Sequence, residues 1–261
     1  MDVPTTFPGS KMNIGIVGGG LLGLTLAYRF AKDGHGVTLY ERDSSVGGLV
    51  RSITVNGISM DRFYHVILMN DRNWLSLINE IGLGERIYFT ETRAGFYSHG
   101  GIYSMATIGE YLRFPLLSLA DRFRLALTLQ WCKMQNDWHR LEHVSIQDFL
   151  TAKGGRTLYE KFWKPLLNAK FDGRYETIPM TYIWSRVRRM ASTRRRVSQR
   201  EVMGHIRGNL QCVVDTLQSK IKDLGGKILT DAAIERLVVE NGSVRAVRLG
   251  GKEQEHRVIV S

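Results

Sequence analysis

The 261 residues, 43% of them hydrophobic, are enough to bury a sizeable core and exclude a disordered or low-complexity chain. Basic residues outnumber acidic ones 36 to 25, a net charge of +11, and seven arginines fall between Arg186 and Arg200, so the basicity is mostly one local feature. Cys132 and Cys212 stand far apart without CxxC spacing, which excludes a disulfide framework and a cysteine-based metal site and fits a reducing cytoplasm.

Residues 1–11 read as a flexible tail. The apolar stretch 12–28 follows Lys11 as the core of a signal peptide would, but glycines at fixed offsets and the continuation Tyr28-Arg29-Phe30 are not features of a cleavable leader. Its pattern is instead a short buried strand over 13–17, a helix over 21–32 and a second strand over 37–41 after the Gly34-His35-Gly36 turn. Gly18, Gly20 and Gly23 form GxGxxG at the first strand-to-helix turn, with Gly19 and Leu22 inside it. Glycine at those offsets permits a tight turn, close approach of backbone to a pyrophosphate, and packing of helix on strand. The helix N-terminus offers free N–H groups and a positive dipole end to phosphates. Glu41, at the end of the second strand, is placed to accept hydrogen bonds from a ribose diol and to repel a 2′-phosphate. An ordinary tight turn between strand and helix is the bland alternative.

The chain continues Glu41-Arg42-Asp43-Ser44-Ser45-Val46-Gly47-Gly48-Leu49-Val50-Arg51-Ser52. With this second glycine pair it resembles the FAD-binding family that includes amine oxidases, protoporphyrinogen oxidases, phytoene desaturases and UDP-galactopyranose mutases. The resemblance implies an α/β fold: a Rossmann-like FAD-binding domain of the glutathione-reductase type with an inserted, mainly helical (α+β) substrate domain. It also implies that Gly47 and Gly48 bring backbone to the FAD diphosphate and that Arg42, Arg51 and Ser52 add contacts. A hairpin is expected over 52–63 around Asn56-Gly57. Asp61 and then His65 resemble the family's segment running toward the flavin ring; His65 lies near the isoalloxazine or is packed structurally at a strand end.

From Asp71, a candidate N-cap, Trp74, Ile78 and Ile81 form a helical stripe ending at Gly82, and a β-rich patch spans 87–105. Two further helices open with capping boxes, Ser118 to Asp121 and Ser145 to Asp148. The segment 159–172, with Pro165-Leu166-Leu167, looks like a helical stretch of the same family, and Pro165 is expected to kink or end it. Residues 63–200 thus read as a substrate domain inserted between 12–62 and 201–261. In the last part a helix over 210–224 stops at Gly225-Gly226 and strands follow over 227–230, 233–240, 244–249 and 257–260. By resemblance, Ile234 meets the adenine through its backbone. Arg207-Gly208-Asn209-Leu210 departs from the glycine pair of relatives. Family members continue past Ser261 into a second flavin-gripping segment, so the chain reads as truncated.

Rival chemistries are visible. His139-Arg140-Leu141-Glu142-His143 fits the H-x-x-E-H zinc peptidase pattern if the two imidazoles share a helix face. The arginines of 186–200 fit a solvated helix face, an anionic substrate or the headgroups of an inner membrane; sparse aromatic residues argue against nucleic acid. A small or lipophilic substrate giving hydride to FAD is the expected chemistry, with no catalytic acid or base identifiable. A non-redox sugar mutase ranks second, because Phe63-Tyr64 precede His65 where that enzyme carries Pro-His. No run is long and uncharged enough to span a bilayer, so a cytoplasmic or membrane-peripheral protein is expected.

Overall fold

The computed structural model describes residues 11–92, 95–104, 110, 113–191 and 202–261. They form two compact units, one built from the described residues up to Val66 with Asn73–Tyr88 and His205–Ser261, the other from Ile67–Arg72 and Phe89–Gly204.

In the first unit β1 (Asn13–Val17), α1 (Leu21–Lys32) and β2 (Gly36–Tyr40) follow one another as the hydrophobic pattern predicts. β1 and β2 join β9 (Lys227–Leu229) and β13 (Val258–Val260) in a sheet of order β13-β1-β2-β9, every pairing parallel. Alternate residues of a strand face opposite sides, and each side has its own cover. Ile14, Ile16, Val37 and Leu39 face α1 and α8 (Gln211–Asp223), where Leu24, Ala27, Val214 and Leu217 close the core. Each such fully buried aliphatic side chain stabilises the fold by about 1.5–3 kcal/mol. On the other side Val17, Tyr40 and Ile259 meet Val247 and Leu249. Those two residues belong to an antiparallel meander of β10 (Arg236–Glu240), β11 (Ser243–Leu249) and β12 (Lys252–Glu255). A parallel sheet covered by helices on one face and a meander on the other is the expected Rossmann-like α/β arrangement. β10 begins three residues later than the pattern suggested, so Ile234 lies in the loop before it.

The hairpin of β3 (Ser52–Val55) and β4 (Ile58–Asp61) turns at Asn56 and Gly57, both with positive φ. Asp61 Oδ1 accepts the Leu210 N–H at 2.9 Å, and Asn209 Nδ2 donates to the Ser59 carbonyl at 3.0 Å. The loop that departs from the family's glycine pair therefore anchors the hairpin to the start of α8.

One expected boundary needs correction. Residues 63–200 do not separate cleanly, because α2 (Arg72–Glu80) buries Leu77 and Ile78, with Ile81 and Leu83 beyond it, in the core of the first unit. Glu80 reinforces that placement by pairing with Arg29 and Lys32 of α1, each at 2.6 Å. Asp71, the expected N-cap, spends its carboxylate on the Leu68 N–H and on Arg189.

The chain leaves the first unit within β5 (Ile87–Glu91) and returns within β8 (Val202–Ile206). The second unit holds the hairpin of β6 (Gly95–Ser98) and β7 (Gly101–Ser104), then α3 (Leu119–Met134) and α4 (Ile146–Gly154). Both predicted capping boxes form, with Ser118 accepting from the Asp121 N–H and Ser145 from the Asp148 N–H. A single turn α5 (Arg156–Leu158) leads through a π turn, Tyr159–Trp163, into α6 (Lys164–Phe171). The helix does not end at Pro165; the missing N–H is absorbed by the wider π turn just before it. Finally α7 (Thr181–Ala191) carries Arg186, Arg188 and Arg189, while the remaining arginines of the cluster, Arg194, Arg195, Arg196 and Arg200, lie outside the described residues.

Candidate functional site

β1 delivers the chain into Gly18, whose φ of 106° lies in the left-handed region that favours glycine. The Gly18 N–H donates to the Tyr40 carbonyl at 2.8 Å, tying the turn to the end of β2. Gly23, one turn into α1, lies so close to this start that a Cβ there would overlap the Gly18 carbonyl oxygen. Gly19 is fixed by packing as well, since a Cβ would press on Val46 Cγ1 at 2.7 Å and on Glu41 Oε2 at 3.0 Å.

Gly20 is different. Its φ of −70° and ψ of 179° suit any residue, and a Cβ would meet nothing within 4 Å. The fold itself gives no reason for glycine there. Gly20 is also the N-cap of α1, whose start has no side-chain cap and no acidic residue in its first turn. Such a helix end presents N–H donors and about half a positive elementary charge to whatever fills the open space.

Glu41 stands behind this turn, buried, with Oε2 accepting the Gly19 N–H at 2.7 Å and Oε1 accepting the Asp43 N–H at 3.0 Å. Its own N–H donates to Leu229 and its carbonyl accepts from Ala232, so strand ends on both sides hold it. A carboxylate has roughly four acceptor positions; two backbone donors leave capacity for a further diol. Gly47 closes the arrangement by donating its N–H to the Gly19 carbonyl at 2.7 Å with φ at 113°. A Cβ on Gly48 would sit 3.3 Å from Gly20 Cα, so the second glycine pair stacks on the first turn.

The structure thus brings together Gly18, Gly19, Gly20, Gly23, Glu41, Gly47 and Gly48. Leu22 is beside them on α1, 75% exposed, and Ile234 follows two residues after Ala232. The other expected residues have partners of their own. The Arg42 side chain is exposed and lies 3.8 Å from Asp43. Arg51 is held within its own loop, donating to Asp43 at 2.9 Å and Ser45 at 3.0 Å. Ser52 donates its N–H to Gln211 at 3.2 Å. His65 is engaged with the Phe63 carbonyl at 2.8 Å.

Sequence reasoning missed a buried group beneath the turn. His256 lies on β1, its Nε2 2.8 Å from the Tyr40 hydroxyl and its Nδ1 3.3 Å from Asn13 Oδ1. Burial lowers the His256 pKa and raises that of Tyr40. A signal was present in Gly15, a glycine inside a strand, which marks close approach of another group; a Cβ there would strike the His256 ring at 2.6 Å.

The zinc reading does not survive. His139–His143 is a 3-10 turn, in which residues three apart eclipse, so His139 and His143 do not share a face. His139 stacks on Trp138, and no group of three or more possible ligands occurs among the described residues. On α7, Arg188 donates to the Gln135 carbonyl at 2.7 Å and to Asn136 at 2.8 Å, and Arg189 pairs with Asp71 at 2.7 Å. Among the described residues, no helix is long and apolar enough to cross a membrane.

A family model described as flavin containing amine oxidoreductase matches residues 23–261. Zeta-carotene desaturase from Arabidopsis thaliana is 25% identical over 194 residues, which is 64% of this chain and 34% of the relative. Protoporphyrinogen oxidase 2 from the same plant is 34% identical over 121 residues, 45% of this chain and 24% of the relative. Among solved structures, an oxidoreductase from Methanosarcina mazei aligns with a TM-score of 0.70 at 19% identity, covering 95% of this chain and 58% of that one. The chain therefore spans about a third of the length of the desaturase, 34%. These relatives lend no support to the sugar-mutase alternative. The family match starts at Gly23, so the open turn at Gly18–Gly20 is an observation independent of it.

Proposed function

The chain belongs to the flavin containing amine oxidoreductase family, and from that premise we propose that its first unit holds the ADP half of FAD, as part of an oxidoreductase acting on a small or lipophilic organic substrate. The observation that carries the proposal is Gly20, whose missing side chain answers no need of the fold and leaves the helix N-terminus open. The diphosphate would lie against the backbone of Gly18–Gly20, where α1 directs its N–H groups and positive end. Gly47 and Gly48 keep the second wall of this cradle free of side chains. Glu41 would accept from the adenosine ribose diol, and its charge disfavours a 2′-phosphate. Ile234, in the loop beyond Ala232, is the candidate for backbone contact with adenine. When bound, the flavin supplies acceptance of a hydride from a substrate C–H or N–H bond. Two relatives whose names specify a desaturase of zeta-carotene and an oxidase of protoporphyrinogen support this reaction class.

Titration of the chain with FAD, followed by flavin fluorescence, tests the reading. ADP should displace FAD and FMN should not, since FMN lacks the half that this site grips. Gly20→Asp should weaken FAD binding by about a hundredfold or more, because a carboxylate would stand where the diphosphate belongs. Displacement by FMN, or full binding by Gly20→Asp, would refute the proposal.

A further inference from the structure

On the α8 side of the 41–52 loop lies a cleft of about 380 Å³ that shares no residue with Gly18–Gly23 or Glu41. Its volume is at the lower end for small-molecule sites. Eight of its ten lining residues are polar or charged, the exceptions being Val46 and Ile228, and none is a carboxylate. Arg51 carries one positive charge, balanced by Asp43; Lys222 carries another and, among the described residues, pairs with no acid. Ser44, Gln218 and Thr230 line the cleft with side chains that form no internal hydrogen bond among the described residues. Two of its lining residues, Arg51 and Ser52, each bury a side-chain atom, Nε and Oγ, that has no hydrogen-bond partner. Orphaned polar atoms are uncommon in folded proteins.

We infer that this cleft is a second ligand site, taking a small phosphate-bearing polyol. Lys222 matches an oxyanion by a charge-assisted hydrogen bond, with the Arg51 guanidinium beside it in the lining. Hydroxyls of Ser44 and Thr230 and the Gln218 amide, which both donate and accept, match a polyol body. Gln211 is not available, its oxygen taking the Ser52 N–H and its nitrogen donating to Asp215.

Isothermal titration of the full chain with glycerol 3-phosphate, and with glycerol as its uncharged counterpart, decides the matter. One-to-one binding is expected for the phosphate and none for glycerol. Lys222→Ala should weaken it by about tenfold or more, the loss of a charge-assisted contact. Gly20→Asp, which changes only the turn, should leave it intact. Absence of binding at millimolar phosphate ester, unchanged affinity in Lys222→Ala, or equal binding of glycerol would overturn the inference. So would loss of binding in Gly20→Asp, which would put the probe on the glycine turn instead.

Discussion

The turn at Gly18–Gly23 in the first unit and the helix Thr181–Ala191 in the second are both rich in groups that attract anions, and they use them in opposite ways. The turn has no cationic side chain, yet its helix end has no side-chain cap and a Cβ on Gly20 would meet nothing within 4 Å. Helix α7 displays arginines, yet Arg188 is committed to Gln135, Asn136 and the Trp184 ring, and Arg189 to Asp71. Charge written in a sequence is therefore a weaker sign of a site than a side chain that is missing without structural cause. Substitutions in the two regions should separate accordingly.

The largest effect is expected at Gly23. A Cβ there overlaps a backbone carbonyl that belongs to the same turn, so neither partner can swing away. Gly23→Ala should cost about 3 kcal/mol or more of stability, the range for overpacking against rigid backbone, read by urea unfolding. Flavin binding should fall with it. Gly20→Asp should do the reverse. Its backbone angles accept an L residue, and aspartate is a favoured N-cap, so stability should hold or rise by a few tenths of a kcal/mol while flavin binding is lost. If both variants lost stability alike, Gly20 would be a structural glycine and the contrast between turn and helix would collapse.

These two glycines also mark how far the sequence could be read. The strand, turn, helix and strand of residues 13–40, both Ser-x-x-Asp caps and helix α8 were legible because each depends on neighbours within a few positions. Long-range placements were not. α2 joins the first unit only because Leu77 and Ile78 find the core there, and no local pattern states which core an amphipathic helix will choose. Arg51 is engaged by Asp43 and Ser45, and the Ser52 N–H by Gln211 of α8, partners up to 159 positions away that spacing alone does not name. His256 reaches Tyr40 across 216 positions of sequence, and only the strand glycine Gly15 hinted at it.

An intermediate effect is expected from pH beneath the turn. Burial depresses the folded-state pKa of His256 below its ordinary 6.5, so the unfolded chain takes up a proton that the folded one refuses. The stabilisation is complete above the unfolded value, declines as pH falls through about 6.5, and levels off below the folded value. Thermal melting from about pH 8 to about pH 5 should therefore show a steeper loss for the wild-type chain than for His256→Gln. Identical slopes would mean that the ring stays accessible to protons and that Gly15 does not seal it against β1.

The smallest effect belongs to the arginine helix. Arg189 and Asp71 meet at 2.7 Å, but their side chains are 50% and 22% exposed, so water and salt screen the pair. Arg189→Ala should cost under about 1 kcal/mol, less still at high salt, and leave FAD affinity untouched. Asp71 also accepts the Leu68 N–H at 2.9 Å, and Asp71→Ala should therefore cost about 1 kcal/mol more than Arg189→Ala. If these arginines instead served an anionic partner, Arg188→Ala and Arg189→Ala would weaken salt-dependent binding to anionic vesicles while leaving the melting curve unchanged. Internal pairing requires the opposite, a small salt-sensitive loss of stability with vesicle binding unaltered.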